Sequence, residues 1–309
     1  MRALALFLLA SFAAATASAW GCEGHQLIAL MARRQLKPAV SAVVNKILAD
    51  GPISPALSRF CKDRPADPMG DVATWADDVR SQAGNGEWHF VDIPGTLTKT
   101  PADHGVLQWC GNPANANSLC ITAALEAQLA ILKDPSKSAA DRGTALRYVI
   151  HLVEDLHQPL HDTDNNDKGG NCTVLKFLSE DRPTNLHTIW DTKLIAHDMK
   201  VKKLDQAGYV AALSAEFARH GKSWRKQKFN PTLWAWDGHH LANKLAYGQL
   251  SPQIPVETPG VTDCDAERAK VQALHIAINE DYFNRAIPEV REQLAKSAAR
   301  LASLLNRSL

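Results

Sequence analysis

Histidine and aspartate recur in this 309-residue chain at spacings that could hold a metal ion. His151 and Asp155 lie four apart in AADRGTALRYVIHLVEDLH (139–157), and His187 and Asp191 repeat that spacing in NLHTIWD (185–191). On a helix, residues four apart project from one face, a turn above each other. His161 stands two residues after Pro159 in HQPLHD, and upstream come His25, Asp77 in TWADDVR and His89 in WHFVD. Imidazole nitrogen and carboxylate oxygen are ligands that zinc accepts, and two of them one turn apart can reach the same ion. A single His-x3-Asp pair is also an ordinary surface ion pair. These two pairs, however, are bounded by apolar residues (Ile150, Leu152, Val153; Ile189, Trp190). Buried without a metal, they would leave costly unpaired polar atoms. The pairs alone leave both readings open. His157, six residues from His151, is off its face and is expected to hydrogen-bond. His104, His197, His220, His239, His240 and His275 fall in loops or among charged residues and are expected to be solvated, as is Asp78.

Holding such side chains in place requires helices, and helical periodicity dominates. Val40, Val43, Val44, Ile47 and Leu48 follow the i, i+3, i+4, i+7, i+8 pattern, with Pro38 suited to a first turn. Residues 121–132 and 139–157 are predicted helices, the second capped by Ser138. Others are predicted near 71–80, 186–196, 203–219 and 231–246, and a C-terminal helix carries Ile287, Val290, Leu294, Leu301 and Leu305 along one stripe. Only 88–92 and 173–178 alternate enough for short strands, and Pro, Gly and Asn mark loops at 92–117, 159–172 and 248–263. The stretch Asp164 to Asn171 is expected to be a solvated turn. With no repeat and no dividing linker, the predicted architecture is one compact, mostly α domain. There is no P-loop, no dinucleotide glycine motif, no G-x-S-x-G elbow and no H-E-x-x-H.

Residues 1–19 have the form of a secretory signal peptide: Arg2, an apolar stretch from Leu4 to Ala15, then Ala17-Ser18-Ala19 before the expected cut. Residues 20–309 would then form a single domain beginning at Trp20, secreted or periplasmic, with no membrane span. Losing Arg2 leaves 33 basic against 33 acidic side chains. Zero net charge argues against gripping duplex nucleic acid through many phosphate contacts, although metal ions could attract phosphate instead. The six cysteines are expected to form disulfides, Cys110–Cys120 being the pair that staples one loop; no C-x2-C spacing supports zinc thiolates.

Together, W-G-x-x-G-H from Trp20, W-A-D-x-x-R, W-H-F-V-D, H-x3-D-x-H-Q-P-L-H and L-H-x2-W-D resemble the S1/P1 nuclease family, in that family's order. The resemblance implies a mostly α-helical fold of the phospholipase C/P1 nuclease type with three zinc ions in a cleft. Asp77, His89, His151 and Asp155 would hold the first zinc, and His161, His187 and Asp191 the second. Trp20, through its free α-amine and carbonyl, would hold the third with His25 and Asp155. The amine would exist only once the leader is removed. The implied chemistry is attack of a bridging hydroxide on phosphorus, cutting single-stranded DNA and RNA and hydrolysing 3′-mononucleotides to leave 5′-phosphate products. Asp77 and Asp155 would serve in this catalysis through the metals, and Arg80 would contact the phosphate. Phe90 would stack on an unpaired base while Asp92 hydrogen-bonds its edge, which favours single strands. Three Zn²⁺ against the carboxylates of Asp77, Asp155 and Asp191 and one hydroxide leave the site at about +2. No protein partner is implied.

Two other readings compete. A zinc-dependent phospholipase C would share the fold, the N-terminal Trp and most ligands, but it uses Glu where Asp191 stands, and its gap from Trp to the first His is longer. A non-catalytic zinc-binding protein would have no use for Arg80, Phe90 and Asp92, and its ligands would saturate the ions.

Overall fold

The computed structural model describes residues 20–110, 119–257, 260 and 262–309; the expected leader and residues 111–118 of the long loop lie outside that range. Thirteen helices form among the described residues. The N-terminal half carries α1 (Cys22–Arg33), α2 (Pro38–Asp50), α3 (Pro68–Val72), α4 (Trp75–Ala83), α5 (Ile121–Lys133) and α6 (Ala139–Asp155). After these come α7 (Leu186–Thr188), a π-helical turn (Ile189–Lys193) and α8 (Leu194–Lys202), in unbroken succession. The remainder is α9 (Gln206–Glu216), α10 (Ala218–Trp224), α11 (Pro231–Leu241) with a π turn (Ala242–Tyr247), α12 (Cys264–Ala273) and α13 (Glu280–Ser308). The only sheet among the described residues has three strands in the order β2-β1-β3: β1 (Val174–Phe177), β2 (Thr184–Asn185) and β3 (Ala277–Ile278). Val174 and Leu175 pair antiparallel with Asn185 and Thr184, while Lys176 and Phe177 pair parallel with Ala277 and Ile278.

α6 is the central helix. The Ser138 hydroxyl accepts from the Asp141 amide at 3.1 Å, which satisfies one of its free N-terminal donors. Leu146, Val149, Ile150, Leu152 and Val153 are fully buried, because α2, α4, α5 and α13 all pack around it. Burying each aliphatic side chain contributes roughly 2 kcal/mol. Periodicity therefore continues around the whole helix, and polar residues on α6 are forced into the interior. Side-chain caps of the same kind start α3 at Asp67, α9 at Asp205, α11 at Asn230 and α13 at Asn279.

Three elements differ from the sequence expectation. The helix expected over 71–80 is two helices broken at Ala73 and Thr74, and the Ala73 carbonyl turns to His151. The expected strand at 88–92 is a 3₁₀ turn (Gly86–His89) followed by extended chain. Among the described residues no strand lies beside that chain; Val91 N donates to the His161 carbonyl and Ile121 N to the Phe90 carbonyl. The predicted 203–219 helix divides at Phe217 into α9 and α10.

Three disulfides form: Cys22–Cys61, Cys110–Cys120 and Cys172–Cys264. Cys110–Cys120 is the pair the loop composition suggested. Such bridges fit an extracellular protein, and no described helix is long and apolar enough to cross a membrane.

Candidate metal centre

Eight of the nine residues expected as ligands converge on one region around the C-terminal half of α6. That helix contributes His151 and Asp155, α1 contributes His25 and α4 contributes Asp77. His89 ends the 3₁₀ turn after α4, and His161 ends another (Pro159–His161) that Pro159 starts directly after α6. His187 and Asp191 come from α7 and the π turn that extends it.

Their ligand atoms form three groups: His25, His151 and Asp155; Asp77, His89 and His151; and His161, His187 and Asp191. In the shared pair of groups, Asp155 Oδ2 lies 3.0 Å from His89 Nδ1 and 3.1 Å from His151 Nε2. Its other oxygen, Oδ1, faces His25 Nε2 at 3.4 Å. Asp77 stands opposite, its Oδ1 3.7 Å from His151 Nε2 and 3.8 Å from His89 Nδ1. His151 is common to both groups, and Asp155 reaches members of both through its two oxygens. His25 Nε2, Asp77 Oδ1, His89 Nε2 and Asp155 Oδ1 are buried without any hydrogen-bond partner.

The third group gives the sharpest test of what fits there. His161 Nδ1–H donates to the His89 carbonyl at 2.6 Å, and His187 Nδ1–H donates to the Gly169 carbonyl at 2.6 Å. Each ring therefore presents an unprotonated Nε2 inward, and the two nitrogens face each other at 3.1 Å, with Asp191 Oδ2 3.4 Å from His187 Nε2. Two lone pairs and a carboxylate cannot satisfy one another. Burial pushes the His161 imidazole below its ordinary range, and burial together with His161 pushes His187 down to about 3, so neither ring takes up a proton. A divalent cation of the zinc type satisfies this donor set.

Electrostatics in the other two groups follow the same logic. Burial pushes His151 down, but Asp155 and Asp77 outweigh it and raise it to about 9. Burial would raise Asp155, yet His151 and the hydrogen bonds from His151 and His89 hold it well below the usual carboxylate range. In the His161 group itself, burial drives Asp191 well above that range despite the bond from Gln158 Nε2 at 2.6 Å, and a proton on its carboxyl satisfies at most one of the two facing nitrogens.

Trp20 is fully buried, and its indole N–H donates to the Glu154 carbonyl at 2.9 Å, beside Asp155. Arg80, one turn beyond Asp77 on α4, is half-buried, and its charge reaches the third group, opposing protonation of His187 and Asp191. Phe90, also half-buried, follows His89 in extended conformation. Asp92 lies two residues on, its carboxyl raised to about 7 by burial, with Asp164 and Glu87 adding to the effect.

Other expectations need correction. The stretch from Asp164 to Asn171 is no solvated turn: Asp164, Asn165 and Asp167 are buried. Asp167 accepts from Gly170 N at 2.8 Å, Thr173 Oγ1 at 2.6 Å and Tyr247 Oη at 2.8 Å, fixing the carbonyl that holds His187. Gly169 there has φ +59°, and a Cβ would strike the Leu160 carbonyl. Asp78 is likewise buried, accepting from Arg59 Nε and from Phe60 N at 2.7 Å. His239 is buried between the Leu97 carbonyl at 2.6 Å and the Thr163 hydroxyl at 2.9 Å. His104, His197 and His240 are half-buried, and only His220 and His275 are exposed. His157 hydrogen-bonds as expected, donating to the Val153 carbonyl at 2.7 Å and accepting from Arg300 Nη1 at 2.9 Å. Glu154 was not anticipated. Its Oε2 lies 2.6 Å from His25 Nδ1 and its side chain is fully buried. The available signal was a carboxylate three residues after His151 on a helix apolar all round.

A profile of the S1/P1 nuclease family matches residues 20–309. Endonuclease 2 of Arabidopsis thaliana is 27% identical over 323 residues, covering 99% of this chain and 96% of that protein. Nuclease S1 of Aspergillus oryzae is 26% identical (93% and 91% covered), and nuclease P1 of Penicillium citrinum is also 26% identical (93% and 97% covered).

Proposed function

This chain belongs to the S1/P1 nuclease family, and from that premise we propose that it is an exported, zinc-dependent endonuclease selective for single strands. Membership makes it a hydrolase of phosphodiester bonds, with nucleic acids as substrates. The finer reading is that it cuts single-stranded DNA and RNA to 5′-phosphate products and also hydrolyses 3′-mononucleotides. The observation that carries it is the facing pair of unprotonated imidazoles, His161 and His187, beside Asp191.

In this reading Asp77, His89, His151 and Asp155 hold one zinc, and His161, His187 and Asp191 a second. His25, Asp155 and the α-amine and carbonyl of Trp20 hold the third, once the leader is removed before Trp20. Bound there, zinc supplies a water nucleophile at neutral pH and Lewis-acid stabilisation of the phosphate oxygens. Arg80 donates to the phosphate and to the charge that develops on it. Phe90 offers a stacking face to an unpaired base, and Asp92 an acceptor for its edge. A base within a duplex is stacked and paired and can reach neither residue, which is the physical ground for strand selectivity. Counting the buried Glu154, the site charge falls to about +1, still attractive to a phosphodiester on a mature chain whose basic and acidic side chains would balance.

The test is release of acid-soluble nucleotides by the mature protein from single- and double-stranded DNA, with and without chelator. Release from single strands that chelator abolishes and added zinc restores is the expected result. Undiminished release in chelator, or equal cutting of both forms, would overturn the reading.

A further inference from the structure

Glu154 is a carboxylate beside His25 that no ligand assignment uses. It is fully buried, its Oε2 lies 2.6 Å from His25 Nδ1, and its Oε1 has no hydrogen-bond partner. Among the described residues its one ion-pair partner is that His25 ring. Asp155 is its neighbour in the chain, and Asp77 lies across His25, with Oδ2 4.0 Å from that ring's Nε2. Three carboxylates therefore surround one imidazole in the interior, an arrangement that costs stability unless positive charge sits among them.

We infer that Glu154 is a positioning residue of the metal centre. Its carboxylate accepts the Nδ1–H of His25, and its backbone carbonyl holds the indole of Trp20. The hydrogen bond fixes the His25 tautomer: with the proton on Nδ1, Nε2 must present a lone pair. That Nε2 is buried, unpartnered and 3.4 Å from Asp155 Oδ1, so the lone pair points where a cation would bridge them. Carboxylate–imidazole pairs of this kind also raise the basicity of the ligating nitrogen. His151, His161 and His187 each use a backbone carbonyl for the same purpose, from Ala73, His89 and Gly169. His25 alone among these four uses a charged acceptor, and its binding position would gain the most from added negative charge. The Trp20 indole bond fixes the terminal residue at the same point, so one residue sets both His25 and Trp20.

This inference rests on the metal-centre reading, and its test separates the two. Zinc affinity and melting temperature are measured for wild type, Glu154→Gln and Glu154→Leu, in excess zinc and in chelator. Glu154→Leu should weaken one of the bound zincs roughly 10- to 100-fold. Glu154→Gln keeps an acceptor for His25 Nδ1–H and should recover part of that loss. In chelator both variants should melt at or above the wild-type temperature, because a carboxylate without compensation has been removed. In zinc, Glu154→Leu should melt below wild type. A residue that only fills space would lower both temperatures, and that result, or wild-type zinc affinity in Glu154→Leu, overturns the inference alone. A wild-type protein that takes up no zinc overturns the metal-centre reading and this inference with it.

Discussion

Replacing Asp167 with Ala tests whether a side chain that is not itself a proposed ligand controls the His161–His187–Asp191 group. Asp167 is 1% exposed and accepts from Gly170 N, Thr173 Oγ1 and Tyr247 Oη. Truncation leaves three buried donors without an acceptor, each costing ~1–3 kcal/mol. Rotation of the two hydroxyls and entry of a water would relieve part of this, so a net loss of ~3–5 kcal/mol is expected. For a chain of this size that corresponds to a melting temperature lower by roughly 6–20 °C. The consequence for function runs through Gly169 and Gly170, whose carbonyls receive His187 Nδ1–H at 2.6 Å and His187 N at 3.3 Å. Loosening those carbonyls frees the ring, and zinc affinity at that group should fall about 10- to 100-fold, the usual effect of losing a partner behind a ligand. The assay is competition of each protein against a chelator of known affinity, alongside circular-dichroism melting in excess zinc. A large drop in melting temperature with wild-type affinity for every zinc would refute the reasoning, showing that the loop supports the fold and not His187.

Four further outcomes follow from the same geometry. A variant that retains one residue ahead of Trp20 should hold one zinc fewer by elemental analysis, because the proposed amine ligand becomes an amide; full zinc content would contradict that role. Arg80→Ala should lose roughly 100- to 1,000-fold in kcat at unchanged zinc content; an intact kcat would remove Arg80 from the phosphate. Burial, with Asp164 and Glu87 adding to it, raises the Asp92 carboxyl to about 7, and the acceptor role proposed for it needs the ionised form. KM for single-stranded substrate should therefore improve as pH rises through about 7 in wild type and stay flat in Asp92→Asn. The same shift fixes a sign for stability. The folded value lies above the ordinary 3.8, so neutral Asp92 favours the fold at low pH, and that contribution is lost as pH rises towards about 7. Above it, Asp92→Asn should unfold at higher denaturant than wild type, and an equal midpoint would speak against a buried carboxyl there.

The residues most legible in the sequence were those whose roles depend on local geometry. His151 and Asp155 share a helix face because of the helical period, and Ser138 caps that helix by its side-chain chemistry alone. The break at Ala73 was not legible: neither Pro nor Gly marks it, and it exists because a distant His151 takes the Ala73 carbonyl. Alternation at 88–92 suggested a strand, but a strand needs a neighbour, and the segment's long-range hydrogen bonds go to His161, Trp109 and Ile121. Polar residues proved hardest to place. Asp78, Glu154, Asp167 and His239 are of residue types usually solvated, and each is buried only because partners far along the chain meet it. Motif spacing thus located the ligand candidates, while the groups that orient them came to light only in three dimensions.

The most direct test of the metal centre is anomalous diffraction at the zinc edge from crystals of the mature protein grown with zinc. The account predicts three peaks. One should lie about 2.0–2.1 Å from both His161 Nε2 and His187 Nε2, with Asp191 as third protein ligand, and two should be bridged by Asp155. Absence of a peak between His161 and His187 in zinc-soaked crystals would contradict it.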